Sequence, residues 1–170
     1  ATTPTSPDTT CPVTSPRWSV VIPAFNEERG IQRTILSLLR AGMDRADIYV
    51  VDDGSRDLTA EWAHHYRVSV LKKPNGGKAT ALQAGLDGFR LCDRYTHVGI
   101  LDADSEVDDR YIAVMQDAMV NYPLAALLCG SPRNRPHNWL TAFRAVEYGI
   151  SLGIYREAQA FFGTINVGPG

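Results

Sequence analysis

Five short apolar runs, each cut off by a loop of acidic, amide or glycine residues, narrow this chain to one broad architecture. They are Trp18 to Ile22 before PAFNEE, Ile48 to Val51 before DDGS, Val68 to Leu71 before KKPNGG, Val98 to Leu101 before DADS, and Ala125 to Cys129 before GSP. Runs this short, rich in β-branched residues, suit strands buried on both faces. Helical patterns lie between them. Ile31, Ile35, Leu38 and Leu39 recur at helical spacing, with Asn26 as the expected cap. Residues 58–66 follow Asp57, a good capping residue. Leu82, Leu86 and Phe89 line a third helix; Tyr111, Val114, Met115, Ala118 and Met119 line a fourth. The alternation predicts an α/β domain, a mostly parallel sheet flanked by helices. Residues 139–162 read as one more helix, facing the core through Phe143, Val146, Ile150 and Ile154. Arg144, Glu147, Arg156 and Glu157 forbid it a membrane span.

The chain's 170 residues suit one domain, and 44% apolar content is enough for a core. A net charge of -2 without blocks of like charge argues against a nucleic-acid partner. Cys11, Cys92 and Cys129 form no CxxC pair, and the expectation is reduced thiols, two of them in the core. Residues 1–16, rich in Thr, Pro and Ser, read as a disordered linker. FFGTINVGPG (161–170) stops on a turn signal just after an apolar run, so the chain reads as incomplete at its C-terminus.

In open α/β sheets, ligands bind beyond the carboxyl ends of the strands, which is where the polar loops of this chain fall. Asp102 and Asp104, if extended, point to the same side. Two carboxylates about 5 Å apart repel by about 3 kcal/mol at an effective dielectric of about 20. A divalent cation offsets that, and Mg²⁺ or Mn²⁺ prefers oxygen ligands. The competing reading is a capped helix start, with Asp108 or Asp109 as the cap. Of Asp52 and Asp53, one is expected to face the crevice and the other to bond the turn; an ordinary Asp-Gly turn is the alternative. Lys78 follows two glycines and opens a helix, a setting that favours phosphate. A Walker A loop is excluded, because it needs Gly where Lys72 stands and Ser or Thr where Ala79 stands. His64, His65, His97 and His137 form no cluster and read as structural or solvated.

Taken together, VVIPAFNEE (20–28), VVDDGSRDLT (50–59), NGGKATALQAGL (75–86) and ILDADSEVD (100–108) resemble, in order and spacing, the inverting family 2 glycosyltransferases. Residues 143–170 are similar to the processive branch, the chitin, poly-N-acetylglucosamine, hyaluronan and cellulose synthases. The resemblance implies the glycosyltransferase type A fold, with residues 17–170 as its nucleotide-sugar-binding part. It implies that Pro23, Ala24 and Glu27 line the nucleoside, and that Asp53 contacts uracil with Asp52 beside it. Lys78 is implied near the uracil and diphosphate, and Asp102 and Asp104 at a Mg²⁺ or Mn²⁺ ion. The donor is then a UDP-sugar, with UDP-N-acetylglucosamine favoured, and the acceptor a growing β-linked saccharide. The family's later acidic base and Gln-x-x-Arg-Trp segment do not occur in these 170 residues. The fragment alone is thus expected to bind donor without transferring sugar. Membrane helices and a site on the cytoplasmic face are implied for the whole protein. Three alternatives stay open: a non-processive transferase moving a hexose to a polyprenyl phosphate, a nucleotidyltransferase, and a nucleotide-sugar-binding module without activity.

Overall fold

The computed structural model of the protein describes residues 16–130. The expected helix over 139–162, the end segment 161–170, Cys11, His137 and the 1–16 linker up to its last residue lie outside the described residues. The chain divides into two units, Ala1–Ala126 and Leu127–Gly170. Every element below belongs to the first.

In chain order these are β1 (Trp18–Ala24), α1 (Gly30–Arg40), β2 (Ile48–Asp52), α2 (Thr59–His65), β3 (Ser69–Lys72), α3 (Lys78–Gly88), α4 (Leu91–Arg94), β4 (His97–Ile100) and α5 (Tyr111–Asn121). The strands form one sheet in the order β3-β2-β1-β4, and all three pairings are parallel. Strand order therefore reverses beside β1, between β2 and β4. Each crossover between parallel strands brings the chain back to the same edge, so every strand ends at one rim.

Both faces of β1 and β2 are buried, whereas β3 and β4, at the two edges among the described residues, are only partly buried. Alternation along β1 and β2 gives Val21, Tyr49 and Val51 to one face. There they pack with Ala81, Leu91 and Tyr95, flanked by Leu71, Leu82, Leu86, Phe89 and Val98. Val20, Ile22, Ile48 and Val50 take the other face, none more than 2% exposed. Ile31, Ile35 and Leu38 of α1 are fully buried, at the spacing expected for its apolar stripe. At the end of the sheet away from the loops, the Tyr49 and Tyr95 hydroxyls lie 2.9 Å apart. Tyr95 donates onward to Asp47 at 2.6 Å, which satisfies a polar pair set in the core.

Several expectations change. Pro23 does not end β1 but lies within it, although β1 is central. Val21 O accepts from Leu101 N and Ala24 O from Asp53 N. By alternation Pro23 therefore faces the β4 side, past the last β4 partner, Ile100. Its missing N–H deprives no ladder bond. Asn26 does not cap α1; its Oδ1 accepts from Arg56 N instead, and α1 begins after Arg29 without a side-chain cap. Asp57 does receive Thr59 N at the start of α2. On α5 the buried residues are Ile112, Met115 and Met119, while Val114 is exposed. Ala125 to Cys129 forms no strand: among the described residues nothing pairs with it, and an apolar run without a ladder partner has no strand to make. Cys92 and Cys129 are exposed rather than in the core, because Cys92 lies on the outer side of α4, whose buried residue is Leu91.

α3 lies close against the sheet because Gly85 has no side chain: a Cβ there would sit 2.8 Å from Val51 Cγ2. Overpacking a full core costs about 1–3 kcal/mol, and relief from a helical glycine returns about 1 kcal/mol at most. Gly85→Ala is thus expected to lower the urea unfolding midpoint. An unchanged or raised midpoint would contradict this close contact.

Candidate functional site

The loop after β1 and the loop after β2 are laced together by hydrogen bonds. Asn26, held at a positive φ of 55°, donates its N–H to Ser55 Oγ at 2.9 Å. Glu27 N donates to Thr59 Oγ1 at 2.8 Å, and Glu28 N to Asp57 Oδ2 at 3.0 Å. PAFNEE thereby becomes a fixed wall. Pro23, Ala24, Phe25 and Glu27 all line the cleft it borders, a space of about 390 Å³, within the size range of small-molecule sites.

Asp52 and Asp53 divide their work. Asp52 is buried, accepts from Ser55 N at 2.9 Å and does not line the cleft. Asp53 does line it. Its carboxylate receives the Lys73 ammonium, Gly76 N at 3.0 Å and Gly77 N at 2.7 Å, while Asn75 Nδ2 donates to its carbonyl at 3.0 Å. Burial pushes the Asp53 carboxyl up, but Lys73 and the two amides outweigh burial and hold it below the usual aspartate range. Gly54 makes this approach possible. Its φ is 80°, and a Cβ would lie 2.8 Å from Asn75 N.

The loop after β4 brings Asp102 and Asp104 to the same cleft. Lys78 at the start of α3 forms an ion pair with Asp102 at 2.6 Å, both side chains about half exposed. The segment is not extended, as expected from sequence, but turns at once: Ser105 N donates to Asp102 O at 3.1 Å. Buried Ala103 fixes the turn. Its carbonyl accepts from Thr34 Oγ1 at 2.8 Å, and a Cβ on Gly30 would lie 2.7 Å from it. Ser37 Oγ receives Val107 N at 3.0 Å. Gly30, Thr34 and Ser37 thus form a small-residue stripe on α1 that seats the acidic loop.

All the sequence-expected residues but Asp52 meet in one cleft. The site also holds Phe25, Asn75 and, through Asp53, Lys73, which sequence reasoning did not single out. Their signal lay in the motif loops themselves: an aromatic in PAFNEE, and a lysine and an amide just before two glycines in KKPNGG. His64, His65 and His97 do not line the cleft. Among the described residues, no three His, Cys, Asp or Glu side chains stand placed to hold a metal ion. Asp102 and Asp104 offer two carboxylates, and Lys78 already stands as a cation against one of them.

Glu27 carries the electrostatic tension of the site. Partial burial, then Asp104, then Asp57 push its carboxyl above the usual glutamate range. That is the pattern a cation would relieve.

Residues 19–167 match the Glycosyl transferase family 2 domain. Over 154 residues the chain is 29% identical to the poly-beta-1,6-N-acetyl-D-glucosamine synthase of Staphylococcus epidermidis, covering 87% of this chain and 36% of that one. The enzyme of the same name from Staphylococcus aureus (strain COL) is 28% identical over 152 residues, covering 86% and 36%. The chain therefore spans about a third of the length of these curated relatives. Among solved structures, S. aureus TarS 1-349 superposes with a TM-score of 0.54 at 19% identity, covering 68% of this chain and 39% of that one. Its complex with UDP-GlcNAc gives the same TM-score, covering 68% and 37%. At that identity the likeness shows the shared type A fold.

A carboxyl with a raised folded pKa makes the folded state the better proton binder, so stability declines as pH rises through that range. Glu27→Gln removes the charge and is expected to raise the melting temperature of the ligand-free chain at pH 7. The gain should vanish as pH falls below the usual glutamate range, where Glu27 is neutral in both states. A lower melting temperature for the variant at pH 7 would contradict this electrostatic account.

Proposed function

The chain belongs to glycosyl transferase family 2, and from that premise we propose that it is the donor-binding part of a glycosyltransferase building a β-linked polysaccharide from a UDP-sugar. The observation that carries this reading is the convergence of Asp53, Lys78, Asp102 and Asp104 on one cleft. They come from the loops after β2, β3 and β4, and each type suits one part of a sugar nucleotide.

Asp53 suits the base. A carboxylate has about four acceptor positions. Three donors engage them, with Gly76 N shared between Oδ1 at 3.0 Å and Oδ2 at 3.2 Å, and the imide N–H of uracil can take the place of that longer branch. Phe25, 46% exposed at the cleft wall, offers a ring on which the base can stack. Lys78 suits the diphosphate. Its ammonium is half exposed and held by Asp102, so it can leave that partner for a phosphate oxygen. Pro23, Ala24 and Glu27 shape the nucleoside wall.

The acidic pair suits a Mg²⁺ or Mn²⁺ ion. Both side chains are open to the cleft, their donor atoms are all oxygen, and two carboxylates are the usual protein share where substrate phosphates complete the shell. Asp102 and Asp104 would hold the ion, which when bound neutralises charge growing on the departing diphosphate. Lys78 adds a second positive charge to the same leaving group. The acceptor hydroxyl, deprotonated by a base outside this chain, attacks the anomeric carbon from the far face. An α-linked donor so gives a β bond.

N-acetylglucosamine is the sugar we favour, because the curated relatives are named as synthases of its polymer. From the resemblance to the processive branch, we place the whole protein at the cytoplasmic face of a membrane. Among the described residues, no helix is long and apolar enough to cross a membrane.

Titration calorimetry tests the site directly. UDP is expected to bind the chain in the presence of Mn²⁺ and to bind far more weakly in EDTA. Asp104→Asn should lower affinity by more than about tenfold, a loss seen even for residues that only orient a metal ligand. Equal UDP affinity with Mn²⁺ and with EDTA would refute the metal-dependent reading.

A further inference from the structure

Two lysines stand at the cleft, and they are held in different ways. The side chain of Lys73 is 19% exposed, against 53% for Lys78. Its ammonium donates to Asp53 Oδ1, to the Pro74 carbonyl at 2.6 Å and to Thr80 Oγ1 at 3.2 Å. An ammonium has three protons to give, so each has a partner. Thr80 is fixed in turn, donating to Gly77 O at 2.9 Å. Gly76 makes the room: a Cβ there would lie 2.6 Å from Thr80 Oγ1 and 3.0 Å from Lys73 Nζ.

A cation with no free proton is badly placed to receive a phosphate. It is well placed to set a carboxylate. Asp53 is 3% exposed, so its charge has little water to lean on. Take Lys73 away, and two backbone amides remain with no counter-ion. Burial then favours the protonated acid. The distinction matters for recognition, because a carboxylate only accepts hydrogen bonds whereas a protonated carboxyl also donates.

We propose that Lys73 is a positioning residue that determines base specificity: by neutralising and fixing the Asp53 carboxylate as a pure acceptor, it makes the cleft select a base presenting a ring N–H, such as uracil, over one presenting a bare ring nitrogen there, such as cytosine. This rests on the UDP-binding reading above. It assigns the two lysines to opposite ends of the nucleotide. Lys78 meets the diphosphate directly, and Lys73 reaches the base only through Asp53.

The test compares UDP with CDP, which share ribose, diphosphate and metal, so that their affinity ratio isolates the base. Affinities are measured by calorimetry in saturating Mn²⁺ for the wild-type chain, Lys73→Met, Lys73→Gln and Lys72→Met. Lys72 is the matched control, since its ammonium pairs with Glu61 at 3.1 Å with both side chains more than half exposed. Wild type and Lys72→Met are expected to prefer UDP alike. In Lys73→Met the preference should fall by about tenfold or more, the scale of a hydrogen bond to a charged group. Its remaining preference for UDP over CDP should decline as pH is lowered from 8 to 5, while that of the wild type stays level, because titration of the shared diphosphate cancels in the ratio. Should Lys73→Met not fold by circular dichroism, Lys73→Gln carries the same comparison. A wild type that prefers UDP beside a folded Lys73 variant that prefers it as strongly overturns this inference alone. Loss of folding in both variants overturns it too, leaving Lys73 a purely structural residue. A wild type that binds UDP and CDP equally, or neither, overturns the UDP-binding reading from which it starts.

Discussion

Parallel pairing of β1 with β2 on one side and β4 on the other governs where the chemistry can be. Parallel strands need crossovers, and the crossovers return every strand to the same starting edge. The loops after β1, β2, β3 and β4 therefore open at one rim. Because strand order reverses beside β1, the chain departs to opposite sides there, and a crevice is left between. The residues that meet in it are far apart in sequence, from Pro23 to Asp104. No loop by itself has a ligand site; the sheet makes one from four.

Bringing these loops together concentrates negative charge, and the fold answers it with two different devices. Asp53 is answered permanently, by an ammonium with all its protons engaged and by two amides at the mouth of α3. Asp102 is answered by an ion pair with an ammonium that is half exposed. Glu27 and Asp104 are left to repel one another. The buried end of the cleft is thus rigid and already balanced, while its open end stays acidic until a cation arrives. Such a division suits a ligand with a flat base at one end and a metal-bound diphosphate at the other.

Much of this could be read in the sequence, and the failures have physical causes. β1 and β2 were legible because β-branched runs buried on both faces have few alternatives. The rim residues were legible because loops after such strands share one side. What could not be read was how each loop folds on itself. Spacing predicts an extended segment at Asp102 and Asp104, yet Ala103 is drawn inward by Thr34 and the chain turns. The seat for that turn, Gly30, Thr34 and Ser37, lay hidden beside the more obvious stripe of Ile31, Ile35 and Leu38. Lys78 is legible because it follows two glycines and opens a helix. Lys73 carries no such signal, because its role exists only once the loop folds back over Asp53. Pro23 looked like a strand terminator, and only the register shows that its missing donor falls where no partner is. Asn26 looked like a cap, but bonding between two loops won over bonding to the next helix. Ala125 to Cys129 had the composition of a strand without a neighbour among the described residues to pair with.

The central claim is that one cleft holds a uridine nucleotide by its base at Asp53 and by a metal-bound diphosphate at Asp102 and Asp104. A crystal structure of the chain grown with UDP and Mn²⁺ addresses it most directly, because manganese reports its own position by anomalous scattering. The account predicts an anomalous peak bound by Asp104 and bridging to the diphosphate, with the uracil edge hydrogen-bonded to Asp53. A nucleotide seated on another surface, or a manganese ion away from both aspartates of the β4 loop, would contradict it.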